Sequence, residues 1–146
     1  QHSITPYLAI NDAAKAIVDV CRGEPYLFQL AGERAWYASA DDLITREQVI
    51  RGWRTAQGEA TSHVARILEQ LPERERQFVE AMANLDPEER TSVRIAKALG
   101  KSKAADVGPT SQRLDTVRGI IERGKPYTFK HRAVEAYLAG DWPNVE

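Results

Sequence analysis

Between positions 110 and 118 the chain carries side chains that suit the reading of nucleic acid: Thr110, Ser111, Gln112, Arg113, Thr116 and Arg118. Arginine pairs with guanine edges, glutamine with adenine edges, and serine or threonine with phosphate or either base. Arg113 and Thr116 are three residues apart and so share a helix face. Lys101, Lys103, Arg123, Lys125 and Lys130 flank this segment and suit phosphate contacts, which position a protein without selecting a base. Asp115 lies in the same segment and would repel phosphate if it faced outward. The competing reading is an ordinary solvated helix face.

The other chemistry-bearing residues do not assemble into a reaction centre. Gly100-Lys101-Ser102 copies the end of a G-x-x-x-x-G-K-[ST] phosphate loop, but Ile95 stands where the first glycine belongs. That stretch reads as a helix, whose backbone N–H groups are spent internally and cannot cradle phosphate. His2, His63 and His131 lack metal-ligand spacing, and one cysteine, Cys21, supplies neither a disulfide nor a Cys-rich zinc site. His63 reads as a surface or boundary residue of a long helix. The adjacent pairs Asp41-Asp42 and Glu88-Glu89 project in different directions and make poor acid–base dyads. We therefore expect no catalytic residue, no metal and no cofactor within this chain.

At 146 residues the sequence accommodates one or two small domains. Hydrophobic residues make up 42% and charged residues 28%, a globular rather than disordered balance. No window approaches the apolar run a membrane span requires, and a reducing, cytoplasmic setting is the default expectation. The chain opens at Gln1 and its one methionine is Met82; without a basic-then-apolar leader, we expect a domain fragment of a longer protein. A net charge of -1 conceals a split. Residues 90–132 hold eleven basic and three acidic residues, a net of +8, while the remainder holds nine and eighteen. Such asymmetry marks either an anion-binding portion or a basic face that is solvated or docked on the acidic half.

Periodicity places these residues on helices. Asn11 or Asp12 is the expected cap of a helix to about Arg22, with Ala13, Ala16, Ile17 and Val20 inward and Gly23 as the stop. A second helix opens at Glu24-Pro25 and runs to about Ser39, burying Leu27, Phe28, Ala31, Ala35 and Trp36. Thr45 and Gln48 form a capping box for a long helix carrying Val49, Trp53, Ala56, Ala60, Val64, Ile67 and Leu68. Tyr26, Phe28, Trp36 and Trp53 read as core aromatics rather than a base-stacking platform. Pro72 ends this part, so a helical domain over 1–71 and a second domain over 72–146 are expected.

The second half predicts a helix over Glu73 to Leu85, broken by Asp86-Pro87. A short helix follows, capped by Ser92 and ended by Gly100, and another runs from about Pro109 to Ile121. Arg123-Gly124-Lys125 is a hairpin turn before the strand Tyr127-Thr128-Phe129-Lys130, and a last helix carries Ala133, Val134, Tyr137 and Leu138. Three helices, a hairpin and a closing helix are the order of a winged helix-turn-helix. The overall expectation is a mainly α chain: a helical lid-type bundle, then a winged helix-turn-helix domain with a small β-hairpin wing.

Certain segments suggest a family. Gly23-Glu24-Pro25-Tyr26-Leu27-Phe28-Gln29-Leu30 resembles the G-x-P start of a lid helix in AAA+-related ATPases, the signal-transduction (STAND) and archaeal-type ATPases above all. Trp36, then Ile44-Thr45-Arg46-Glu47-Gln48-Val49, continue the likeness. Leu71-Pro72-Glu73-Arg74-Glu75-Arg76-Gln77-Phe78 resembles the boundary into the winged helix, and Tyr127-Thr128-Phe129 with Ala136-Tyr137-Leu138 resembles its wing and last helix. The resemblance spans roughly Ala9 to Leu138 and lies in the order of pieces. It implies a helical lid and winged helix downstream of a nucleotide-binding core, with Gly23 and Pro25 on the nucleotide side. ATP is implied only together with that core, the implied partner, and the lid's sensor arginine falls to Arg22, Arg34 or neither. The family's R-x-x-L-x-x-x-G-L-I rhythm fits Arg113 to Ile121 only with a register shift.

Three functional expectations follow. In the first, the chain couples the nucleotide state of an ATPase core to DNA or protein binding through the winged helix. In the second, it is a winged-helix transcriptional regulator that binds duplex DNA, with an N-terminal helical dimerisation or sensor region. In the third, it is a protein-interaction module without DNA binding.

Overall fold

Alanine-rich helix faces bring helices close together, and three such helices build the first half of the chain. The computed structural model describes residues 6–39 and 43–145. The chain is mainly α, with seven helices and one two-stranded antiparallel hairpin among the described residues. It divides into two compact units, Gln1–His63 with Asp141–Glu146, and Val64–Gly140. The boundary expected from sequence is 71/72; the division instead falls within a helix, and residues 141–146 go with the first unit. Among the described residues no helix is long and apolar enough to cross a membrane. His2 and the Asp41-Asp42 pair lie outside the described residues.

The first unit contains α1 (Pro6–Cys21), α2 (Pro25–Ala38) and most of α3 (Arg46–Glu69). Asn11 and Asp12 lie inside α1 rather than at its cap, because Pro6 starts the helix a turn and a half earlier. Proline fits there since first-turn N–H groups have no helical partner to lose. Ala13 and Ala16 of α1, Ala35 of α2 and Val49 of α3 form a buried cluster, with Ile17 and Ile44 packed against it. Gly52 lets α2 and α3 close together: a Cβ at this position would stand 2.4 Å from the Arg34 carbonyl oxygen. Gln48 N–H donates to Thr45 Oγ1 while Thr45 N–H donates to Gln48 Oε1, the reciprocal box expected from sequence. Trp53 is fully buried. Tyr26, Phe28 and Trp36 are instead exposed, at 45%, 50% and 62%; α2 buries only the stripe Leu27, Leu30, Ala31 and Ala35.

The second unit contains α4 (Glu73–Asn84), α5 (Ser92–Ala98), α6 (Gly108–Thr116), the strands β1 (Ile121–Glu122) and β2 (Thr128–Phe129), and α7 (Arg132–Ala139). Val64 from the end of α3, with Phe78, Val79, Met82, Ile95, Leu114, Ile121 and Val134, are its largest fully buried apolar side chains. Thr91, not Ser92, caps α5: its Oγ1 accepts from Arg94 N–H at 3.2 Å. Arg90 organises the unit from inside. Its Nε donates to the Met82 and Leu85 carbonyls at the end of α4, and its Nη1 lies 2.7 Å from Glu135 Oε2 of α7. The guanidinium stands 5.0 Å from the Phe129 ring centroid, and the Arg90 carbonyl accepts Tyr127 N–H at 2.7 Å. Carbonyls at a helix end lack helical donors, so a buried arginine satisfies them there.

Candidate nucleic-acid interface

A 3-10 turn over Ala104–Val107 leads into α6, where Pro109 sits in the first turn and Leu114 anchors the inner face. Sequence periodicity runs this helix to Ile121, but it ends at Thr116. Gly119 adopts φ 68°, Arg118 N–H bonds back to the Arg113 carbonyl, and Ile120 N–H bonds to the Leu114 carbonyl. A left-handed glycine just past a helix is the usual way to close it. Ile120 and Ile121 are thereby released into the loop and β1, with Ile121 opposite Phe129 and Glu122 opposite Thr128. The expected strand from Tyr127 to Lys130 is reduced to Thr128–Phe129.

Asp115 links α6 to the hairpin. Its Oδ2 accepts Arg123 N–H at 3.0 Å and its Oδ1 lies 2.8 Å from Lys130 Nζ, which also donates to the Asp115 carbonyl. These contacts hold its carboxyl below the usual carboxylate range, the Arg123 N–H contributing most and Lys130 next. Rather than repelling phosphate, this carboxylate is neutralised locally and fixes the hairpin beside the helix. Lys130 is spent in that contact.

The predicted reading residues separate into three groups. Thr110 and Ser111 are buried at 6% and 0%, and Ser111 Oγ donates to the Gly108 carbonyl; they belong to the inner face and cannot reach a base. Arg113 and Arg118 converge on Glu75, an α4 carboxylate with only 6% of its side chain exposed. Arg113 Nε lies 3.2 Å from Oε2 and Arg118 Nε lies 2.8 Å from Oε1. The remaining reading candidates, Gln112 and Thr116, are exposed, as is the outer part of Arg113, and Thr116 Oγ1 donates to the Gln112 carbonyl. Both arginines expected to read bases are thus engaged within the unit.

Lys101 and Lys103, in the segment before the 3-10 turn, are exposed, as are Arg123 and Lys125 at the hairpin. None of these four takes part in an ion pair among the described residues. They bracket α6 in the chain, two before it and two in the hairpin that Asp115 ties to it. Searches against protein-family models, curated proteins and solved structures find no match for this chain.

The nucleotide-side pair lies in the first unit. Gly23, at φ 75°, turns the chain after Arg22, at φ 51°, and Pro25 opens α2. Both border a shallow groove of about 430 Å³ with Val18, Cys21, Glu24 and Phe28. Arg34 is engaged with α3, donating to the Thr55 carbonyl at 2.6 Å and pairing with Glu59, whereas Arg22 is exposed. His63 is partly buried, its Nε2 3.3 Å from Glu24 Oε1 and its ring 4.8 Å from that of Tyr26.

Proposed function

We propose that this chain is the helical lid and winged helix of a AAA+-related ATPase of the signal-transduction type, and that the winged helix docks on the phosphate backbone of duplex DNA. Nucleotide in a separate core acts on it by favouring one lid position through differential contacts. One observation carries the DNA reading: Lys101, Lys103, Arg123 and Lys125 are exposed, outside any ion pair among the described residues, and set on both sides of α6 in the chain. Such cations release condensed counterions from DNA, which supplies affinity without sequence preference. With Arg113 and Arg118 held by Glu75, backbone contact dominates and base reading falls to Gln112. The helix order, the left-handed Gly23 turn before Pro25, and the anchored hairpin support the lid and winged-helix assignment.

Fluorescence anisotropy of labelled duplex DNA with Lys101→Glu/Lys103→Glu tests this. Binding by the wild type that the double change abolishes is expected. No binding by the wild type, or equal binding by both, would overturn the DNA reading and leave a protein-docking module.

A second reading rests on α1 and α2. Val18, Phe28, Trp36 and Tyr37 expose large apolar surface, at 49%, 50%, 62% and 77%. In a lid they would meet the ATPase core; in a transcriptional regulator they would meet a second copy. Sedimentation of the purified chain separates these, a monomer favouring the lid and a dimer the regulator.

A further inference from the structure

Residues 141–145 return from α7 into the first unit as a short inserted segment. Trp142 is buried, and its indole N–H donates to the Val20 carbonyl at 2.7 Å. Val20 lies in the last turn of α1, where carbonyls have no helical donor. Its neighbours are served locally: Cys21 O takes Glu24 N–H, and Val18 O takes the Cys21 thiol. Val20 therefore draws its donor from a distant segment. Trp53 poses the reverse problem. Its indole is fully buried on α3, whose backbone carbonyls are engaged in the helix, and it donates at 2.7 Å to the Pro143 carbonyl. The two indole centroids are 6.1 Å apart.

Outside these contacts the segment is nearly self-contained. Asn144 N–H bonds to the Asp141 carbonyl at 2.9 Å, closing a turn that presents Trp142 and Pro143, while Asp141 and Asn144 are exposed. A recess of about 310 Å³ bordered by Ala16, Val20, Ile50 and Val145 adjoins the indole. One aromatic anchor, one N–H given, one carbonyl offered and solvated flanks make up the recognition pattern of a docked peptide, in which few residues carry the affinity.

We infer that the α1–α3 slot is a binding site for Trp-Pro peptide segments, with residues 141–145 as its built-in occupant. The segment undocks and redocks as a turn while α1 to α3 stay folded. With it docked, the chain passes between its two units twice, at 63/64 and 140/141; undocked, α3 is the one anchored connection. A Trp-Pro segment supplied from outside would exchange the first state for the second. This inference is independent of DNA binding.

The test uses the full chain carrying Trp142→Ala and a labelled synthetic peptide of residues 140–146. Saturable binding to the variant is expected, with at least about tenfold weaker binding to the wild type, whose slot is filled. Replacing the peptide's tryptophan by alanine should abolish binding. Adding Trp53→Phe to the chain, which deletes the N–H and keeps an aromatic ring, should weaken it by about tenfold. A folded Trp142→Ala chain that ignores the peptide would overturn the proposal. Should that variant not fold, the wild type with a protease site inserted between Gly140 and Asp141 decides. After cleavage, gel filtration should remove the released segment with the helical circular dichroism intact and leave a slot that binds the labelled peptide; loss of helix as the segment leaves, or a segment that never leaves, would overturn the proposal.

Discussion

Arg118 places its Nε 2.8 Å from Oε1 of Glu75, a carboxylate almost fully withdrawn from water. Arg113 closes on the other oxygen, so one α4 acid holds two arginines that sequence alone would hand to DNA. Two charge-assisted bonds compensate the desolvation of the carboxylate, and removing that acid leaves two cations unpaired, Arg118 the more buried of them. Glu75→Ala should therefore cost about 2 kcal/mol of stability, less than for a fully buried pair because both arginines are partly exposed. Urea denaturation measures it, and a decrease below about 0.5 kcal/mol would mark the cluster as a surface contact. Arg113→Glu/Arg118→Glu would bring two further carboxylates against Glu75, so its effect on DNA binding would be confounded with unfolding.

Arg90 is 4% exposed and serves two α4 carbonyls, Glu135 and the Phe129 ring. Arg90→Met keeps much of the side chain's length and removes every donor. A cost of about 3 kcal/mol is expected from the orphaned Leu85 carbonyl, the lost second bond to the Met82 carbonyl and the unpaired Glu135. Arg94→Met is the control: its partner Glu89 is 3.6 Å away and both side chains are exposed, so its effect should stay within about 0.5 kcal/mol. Equal effects of the two would contradict the interior role of Arg90.

Glycine supplies an internal comparison on α3. An alanine Cβ at Gly52 would meet the Arg34 backbone at 2.4 Å, and backbone cannot rotate away, so Gly52→Ala should destabilise by about 2 kcal/mol or more. Gly58, on the same helix, has nothing within 4 Å of a new Cβ. Gly58→Ala should stabilise by about 0.5–1 kcal/mol through helix propensity. Thermal melts of both variants check the opposite signs.

Acid should loosen the hairpin before it unfolds the unit. The Asp115 carboxyl is lowered by Arg123 N–H and Lys130, so it favours the folded state above the unfolded carboxylate range. That contribution disappears as pH falls through the depressed folded value, below about pH 4. The amide resonance of Arg123 should titrate in that acidic window and lie at its acid-limit position at neutral pH in Asp115→Asn. A pH-independent Arg123 amide would contradict the tether.

Local signals carry much of this architecture to the surface of the sequence. The Thr45/Gln48 box, the Gly23 stop, Pro72 and the Asp86-Pro87 break are contiguous, and their physics acts within one turn. What stays hidden depends on distant partners. Glu75 looks like one more charge in the run Glu73-Arg74-Glu75-Arg76, because the arginines that bury it lie 38 and 43 positions on. Thr110 and Ser111 look like readers because helix phase does not say which side of α6 packs inward. Asp115 looks repulsive until the hairpin folds back onto it. Trp36 and Phe28 have core-type side chains, yet the alanine stripe of α2 takes the buried side. Trp142 carries no local signal at all, since its acceptor is 122 positions away.

The central claim is that four cations around α6, free of ion pairs among the described residues, grip phosphate. Its most direct test is the salt dependence of duplex affinity for the wild type and for Lys101→Ala/Lys103→Ala/Arg123→Ala/Lys125→Ala, a set that keeps the Arg123 backbone N–H on Asp115. Each phosphate-binding cation removed should flatten the slope of log affinity against log salt by about 0.9, so the account predicts a variant slope shallower by about 3 to 4. An unchanged slope, or a wild type whose affinity ignores salt, would contradict it.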